Sequence, residues 1–242
     1  MTLGNLLIGS IVTDKKTKFN GKPIEWLVAD HNYGCTTLLS KDILCCRPFD
    51  NPKEYYKNVG RREFGSNRWR DSDIRKWLET EFYRKSFSSR LAGLTIPVLN
   101  ATEIPTCDRA YRNEYMVDNT EDIVFLLSDA EVGSEGDSEA IALFRSNNKG
   151  KYRIAEVCPE LTWYWWLRSP NAGSSYGART VDTDGSLGHS GAYIGDYGVR
   201  PACAISSSAP VKIRKSGEYK FDWKEVADKP AVERKDNDDV RD

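Results

Sequence analysis

Residues 163–170 read WYWWLRSP and residues 198–202 read GVRPA, and a Gly- and Ser-rich window, 171–197, lies between them. The first segment reads as a core strand. Leu167 beside Trp163, Trp165 and Trp166 favours packing of the rings over stacking on a sugar, with at most the outward member of the alternation exposed. The second segment runs on into VRPACAI, again β in character. Between the two, ARTVDT and SLGHSGAY flank Asp184-Gly185, a hairpin turn signal, so 161–205 reads as a β region.

Working outward, the opening of the chain is also β. Strands are expected over 7–12 (LIGSIV), 24–29 (IEWLVA) and 36–39 (TTLL), with Asn20-Gly21 as the turn of a hairpin and HNYG as a second turn. The stretch from Cys45 to Arg70 is polar, aromatic and irregular, and reads as a long loop. At 71–83 the period changes: Ile74, Trp77, Leu78 and Phe82 recur at helical spacing, and Asp71 or Ser72 is placed to cap the start. A buried strand is expected over 123–127 (IVFLL). Ser128 and Glu131 then have capping-box spacing, and a helix is predicted over 137–147 with Ile141 and Phe144 inward.

These elements compose an α+β domain over 1–205, with its N- and C-terminal strands close together and two main helices. Residues 206–210 read as a linker, 211–223 as two short strands in a C-terminal extension, and 224–242 as a charged tail expected to be disordered.

Composition excludes some classes. The 242 residues carry 35 Lys+Arg against 36 Asp+Glu, so no global field draws a nucleic acid, although local patches remain open. No stretch reaches the roughly 20 apolar residues of a membrane span. LGNLLIGSIV near the start lacks a basic n-region and a cleavage-like end, so the chain is expected to be cytoplasmic as synthesised, reaching a virion or cell surface through partners. The six cysteines (35, 45, 46, 107, 158 and 203) are then expected as free thiols. With only His31 and His189 to complete a set, no metal site has workable spacing, and no metal or cofactor is expected. The same shortage argues against Ser-His-Asp or Cys-His catalysis.

WWLRSP and GVRPA, together with Ile8-Gly9…Val12, IEWLV (24–28), Ser72…Arg75…Trp77-Leu78 and FLLS (125–128) with Glu131, resemble the pattern of an uncharacterised bacterial domain family, over roughly residues 7–205. Such domains are similar to the C-type-lectin fold in the form shared with formylglycine-generating enzymes and with the variable proteins of diversity-generating retroelements. The resemblance implies a ligand-binding surface just before the final strand, at 171–197.

The composition of that window agrees. Gly, Ser, Tyr and Asp fill 17 of the 28 positions from 171 to 198, a paratope-like alphabet in which Tyr supplies rigid amphipathic area and Gly and Ser supply adaptability. Lys, Glu, Gln, Met and Trp are absent from it. These are the five types that an AAC codon altered at its first two bases does not encode, and retroelement diversification, as the resemblance implies, replaces template adenines. Ser174, Ser175, Tyr176, Asp182, Asp184, His189, Ser190, Tyr193, Asp196 and Tyr197 are therefore expected on one exposed surface that binds a protein or a glycan. Trp166, Arg168, Val199 and Arg200 are expected to support it, the arginines by donating to backbone carbonyls. The tyrosines are expected to dominate affinity if they cluster. Gly, Ser, Asp and Tyr also make up any loop-rich hairpin, so a fixed structural or assembly module reads similarly. Asp182 and Asp184 lack the further ligands of an EF-hand loop. A formylglycine-generating-type oxidase would need Cys158 and Cys203 on neighbouring strands.

Overall fold

Asn20 and Gly21 both take positive φ, 48° and 78°, and close Phe19 onto Lys22, a type I′ hairpin turn. Tyr33 and Gly34 repeat the arrangement at 43° and 82°. In the computed structural model, which describes residues 1–105, 117–134, 138–145 and 149–224, these turns join β1 (Ile11–Phe19), β2 (Lys22–Asn32) and β3 (Cys35–Ser40) into an antiparallel meander. There follow β4 (Cys45–Cys46), α1 (Val59–Phe64), α2 (Asp73–Trp77), a π-helical turn (Leu78–Phe82), α3 (Tyr83–Ser86) and α4 (Ser89–Ala92). Next come β5 (Thr95–Ile96), β6 (Val98–Glu103), β7 (Val117–Asp122), β8 (Val124–Phe125), α5 (Lys149–Arg153), β9 (Glu156–Cys158) and β10 (Leu161–Thr162). The chain ends its described part with β11 (Trp165–Pro170), β12 (Gly177–Val181), β13 (Leu187–Gly191), β14 (Gly198–Val199), β15 (Ala202–Ser206), β16 (Val211–Ile213) and β17 (Tyr219–Phe221).

The main sheet runs β16-β17-β1-β2-β3-β15-β5, with β8 also on β15, and the second runs β13-β12-β11-β14-β4. The fold is thus α+β with its terminal strands side by side: β15 is antiparallel to β3, and β17 is parallel to β1. The two strands expected in 211–223 form and continue this same sheet. At GVRPA the chain passes from the second sheet to the first. Gly198 pairs with Trp165, and a Cβ there would stand 2.6 Å from Ile43 Cγ2 and 2.8 Å from the Tyr164 carbonyl, so only glycine fits.

The helix expected at 71–83 is the continuous run of α2, the π turn and α3. Ser72 accepts the Arg75 amide as its cap, and Ile74, Trp77, Leu78 and Phe82 are all buried. Glu79 leaves the π turn to accept the Ile123 and Val124 amides at 2.7 and 2.9 Å, tying helix to β8. Its burial raises the carboxyl pKa.

Several expectations are corrected. The first strand begins at Ile11, because the chain before it turns at Gly9 (φ 84°) and leaves Leu7 exposed. The 45–70 stretch is not a loop throughout: it holds α1, capped by Asn58, and β4, paired with β14. Four helical segments (α1, the α2–α3 run, α4 and α5) stand among the described residues where two main helices are expected. The helix predicted over 137–147 is not formed in 138–145, where only a 3-10 turn, Ala142–Phe144, buries Leu143 and Phe144; 137, 146 and 147 lie outside the described residues. The tail from 225 and Cys107 also lie outside them, and the five described cysteines are unpaired.

Candidate functional site

The supports of the window are buried more completely than strand alternation alone requires. Every residue of β11 is buried on both faces. Trp165 and Trp166, though consecutive, each find an acceptor for the indole N–H: the Arg153 carbonyl at 2.8 Å and the Arg47 carbonyl at 2.9 Å. Arg168 donates to the Leu126 carbonyl at 2.9 Å and makes a two-pronged pair with Glu131 at 2.5 and 2.9 Å. That same Glu131 closes the expected capping box, accepting the Ser128 amide at 2.7 Å while Ser128 Oγ accepts its own. Arg200, fully buried, donates to the carbonyls of Ser40, Lys41 and Tyr152 at 2.9, 3.1 and 2.6 Å and lies 5.0 Å from the centre of the Trp165 ring. Burial lowers its pKa, with only Asp42 opposing from a distance. Val199 is buried beside it.

The window is then fixed from outside, by residues of the segment read as a loop. Asn67, itself buried, points its amide nitrogen at three backbone carbonyls of the 171–177 turn: Ser174 at 2.7 Å, Gly177 at 2.9 Å and Asn171 at 3.4 Å. Asn58 caps α1 through the Arg61 amide and accepts Ser175 Oγ at 2.9 Å, while Arg61 Nε donates to the Ser175 carbonyl at 3.1 Å. Beneath α1, buried Asp50 accepts the Ser66 and Asp73 amides, Tyr56 Oη and Lys53 Nζ. Burial opposes the charge on Lys53, yet its bonds to Asp50 and Asp73 prevail and raise its pKa. The Tyr56 hydroxyl is raised by burial and by Asp50.

On this base the ten candidate residues divide. Tyr176 (38% exposed) and Tyr193 (44% exposed) close over Phe64 of α1, ring centres 4.9 and 5.5 Å away, and the Tyr193 amide donates to the Phe64 carbonyl at 3.1 Å. Tyr197 does not join them; half-buried, it lies against Trp166 at 4.6 Å and Tyr164 at 5.4 Å. Ser175 is buried rather than exposed because Asn58 holds its hydroxyl. Ser174, half-buried, spends its hydroxyl on the amides of Tyr176 and Gly177. His189 is exposed on β13 opposite Arg179, and half-buried Ser190 points to the other face with Ala178. Asp182 and Asp184 sit in the hairpin turn beyond the far end of β12 from Tyr176, and β12 itself, Gly177–Val181, spans about 13 Å at strand rise. Asp184 is exposed and accepts the Ser186 amide at 2.9 Å, and its hydrogen bonds to Ser186 lower its pKa. Asp196 is exposed, and its carbonyl takes the Trp163 indole N–H at 2.6 Å.

One aromatic platform of Phe64, Tyr176 and Tyr193 therefore stands apart from the hairpin-turn aspartates. Phe64 escapes sequence reading because α1 is only six residues long. Its signals are Asn58 as a cap and Gly65 as a stop: Gly65 has φ 74°, and a Cβ on it would stand 2.2 Å from the Asp50 carbonyl. Cys158 and Cys203, the pair an oxidase would need on neighbouring strands, do not stand on strands paired with each other. Cys158 lies on β9, which pairs with β10, whereas Cys203 lies buried on β15 between β3 and β8, and burial raises its pKa. Among the described residues no His/Cys/Asp/Glu group could hold a metal ion, and no helix is long and apolar enough to cross a membrane.

The chain belongs to the family described as "Domain of unknown function (DUF6273)", whose model matches residues 33–207. No curated protein and no solved structure matches it significantly.

Proposed function

We propose that this chain is a non-enzymatic binding protein of C-type-lectin-like fold, whose surface around 171–197 binds a protein or glycan target in the manner of a retroelement variable protein. The observation that carries the reading is the platform of exposed Tyr176 and Tyr193 over half-buried Phe64, beside a turn whose backbone is gripped by buried Asn67. Exposed rings on a rigid base are what an interface anchor requires, since ordering costs have been met before the partner arrives. Cys158 and Cys203 lie on strands that do not pair with each other, which weighs against the oxidase reading. The test is genomic: a near-copy of the codons for 171–198, differing at adenines and lying beside a reverse transcriptase gene, is the expected finding. Absence of such a copy across the neighbouring DNA overturns the diversification and leaves a fixed surface. A library randomised at Tyr176, His189, Asp184 and Tyr193 should fold nearly as well as the parent by thermal melting. Loss of folding in most members would refute a surface built to vary.

A further inference from the structure

Formal charge nearly cancels over the whole chain but not along one edge of the main sheet. β1 (IVTDKKTKF) and residues 211–224 (VKIRKSGEYKFDWK) hold eight basic residues against three acidic ones, a net of +5. Their strands are neighbours, in the order β16-β17-β1. Lys212 stands directly opposite Lys220 in the β16–β17 pair, and Thr13 continues the row on β1. Like charges in direct cross-strand register destabilise a sheet. Asp222 answers one of them, at 2.5 Å from Lys212, while Lys15, Lys16, Lys220 and Lys224 have no carboxylate within ion-pair distance among the described residues. Such a violation of local pairing is where a ligand site is expected.

A cleft of about 280 Å³ opens beside this row, lined by Lys15, Lys16, Lys212, Lys220, Lys224 and Arg90 together with the carboxylates of Asp14 and Asp222 and the Trp223 ring. Trp223 is fixed on three sides: its indole N–H donates to Asp14 at 3.1 Å, its ring stacks on Phe221 at 5.2 Å and 11°, and its carbonyl accepts Arg90 Nη1 at 3.1 Å. Asp14 is buried and fully occupied, also accepting Ser88 Oγ at 2.5 Å, Thr17 Oγ1 at 2.8 Å and the Lys16 amide at 3.1 Å. It therefore orders the cleft without pairing with any of the lysine ammonium groups. The cleft's six cationic side chains outnumber the two carboxylates, Asp14 and Asp222, by a net of +4, and a concavity with such an excess of one sign focuses its field on a small anion. The cleft lies at the small end for ligand sites and is too short for a strand of several nucleotides.

We infer that this cleft is a second binding site, separate from the 171–197 surface, for a sugar unit bearing phosphate or sulfate: the lysines take the anion, and Trp223 offers the ring an apolar face. Apart from Arg90, the residues lining it lie outside the 33–207 family match. The full-length protein is titrated calorimetrically with a sugar phosphate, a short sulfated oligosaccharide, its neutral counterpart, inorganic phosphate and a short single-stranded oligonucleotide. A charged saccharide is expected to bind, the neutral one not, with affinity falling about tenfold or more from about 50 mM to about 300 mM salt as screening grows. Which of the two charged sugars binds more tightly separates the phosphate source from the sulfate source. Lys16→Glu with Lys220→Glu should weaken binding by about tenfold or more, while Tyr176→Ala leaves it unchanged. That pair of variants also distinguishes this site from the tyrosine platform. The inference is overturned if neither charged saccharide binds, if the lysine variants bind like the parent, if inorganic phosphate binds as tightly as the sugar phosphate, or if the oligonucleotide binds more tightly than both saccharides.

Discussion

Replacing Asn67 by Ala tests whether the window is held by one side chain outside it. The substitution removes two well-formed hydrogen bonds, to the Ser174 and Gly177 carbonyls at 2.7 and 2.9 Å, and a marginal third to Asn171 at 3.4 Å. A buried acceptor left without a donor costs about 1 to 3 kcal/mol. Gly177 and Asn67 are buried, whereas Ser174 is half-exposed, so water can rescue part of the loss, and the net expectation is about 2 to 4 kcal/mol. For a domain of this size that is a fall in Tm of roughly 4 to 16 °C. Urea unfolding followed by tryptophan fluorescence reads the change. Amide exchange should show the loss concentrated at 174–177, the turn the side chain grips. A change below about 0.5 kcal/mol, with exchange at those amides unaltered, would refute the clasp.

Three further outcomes follow from the same contacts. Trp77→Ala should cost about 3 to 5 kcal/mol in urea unfolding, because the ring packs against Phe19 and Phe82 and beneath the Arg47 guanidinium; a loss under about 1 kcal/mol would mean that this face is not core. Asp14 has a folded pKa below its ordinary value: burial opposes this, but bonds from Ser88, Lys16, Thr17 and Trp223 prevail. Its contribution is therefore complete above the unfolded value and lost as pH falls through the folded one, so between about pH 5 and pH 2 the parent should lose more stability than Asp14→Asn. Parallel acid limbs would disprove it. Tyr176→Ala and Tyr193→Ala should each shift stability by no more than about 1 kcal/mol, since both rings are partly in water already; larger losses in melting would make the platform a structural element instead of a binding one.

The strands beside the Asn-Gly and Asp-Gly turns were legible because their signals are local, whereas β4 and the β6–β7 pair were not. Asn20-Gly21 and Asp184-Gly185 need only their own backbone conformations, and Ile74, Trp77, Leu78 and Phe82 need only the helical period. What escaped depends on distant partners. The 137–147 pattern satisfied a helical spacing, yet a 3-10 turn serves to bury Leu143 and Phe144. In the site, Arg168 and Arg200 could be read as supports from their chemistry, but Asn67, Asn58 and Phe64 could not. Their roles come from residues more than a hundred positions away, such as Gly177 and Ser175. Tyr197 has the composition of a binding residue and the position of a core one, and only its packing on Trp166 decides between them.

The manner of the grip bears on whether the surface can vary. Asn67 reaches carbonyls, and every residue placed at 171, 174 or 177 has one, so the clasp does not depend on the side chains it holds. The Arg61 bond to the Ser175 carbonyl has the same indifference. Limits on variation come instead from a few contacts that do read side chains. Ser175 gives its hydroxyl to Asn58, and Ser174 caps two amides of its own turn. Gly188 and Gly191 leave no room for a Cβ, which would meet Asp182 at 2.9 Å and the Tyr193 ring at 2.8 Å, although the ring, at the surface, can move. Tyr176, Asp184, His189, Tyr193 and Asp196 carry no such side-chain duty to the fold, apart from the Asp184 bond to the Ser186 amide. A surface under diversification should therefore change at these five positions and keep Ser174 and Ser175. A natural set of variants in which Ser175 differs as often as Tyr193 would contradict the division drawn from the hydrogen bonds.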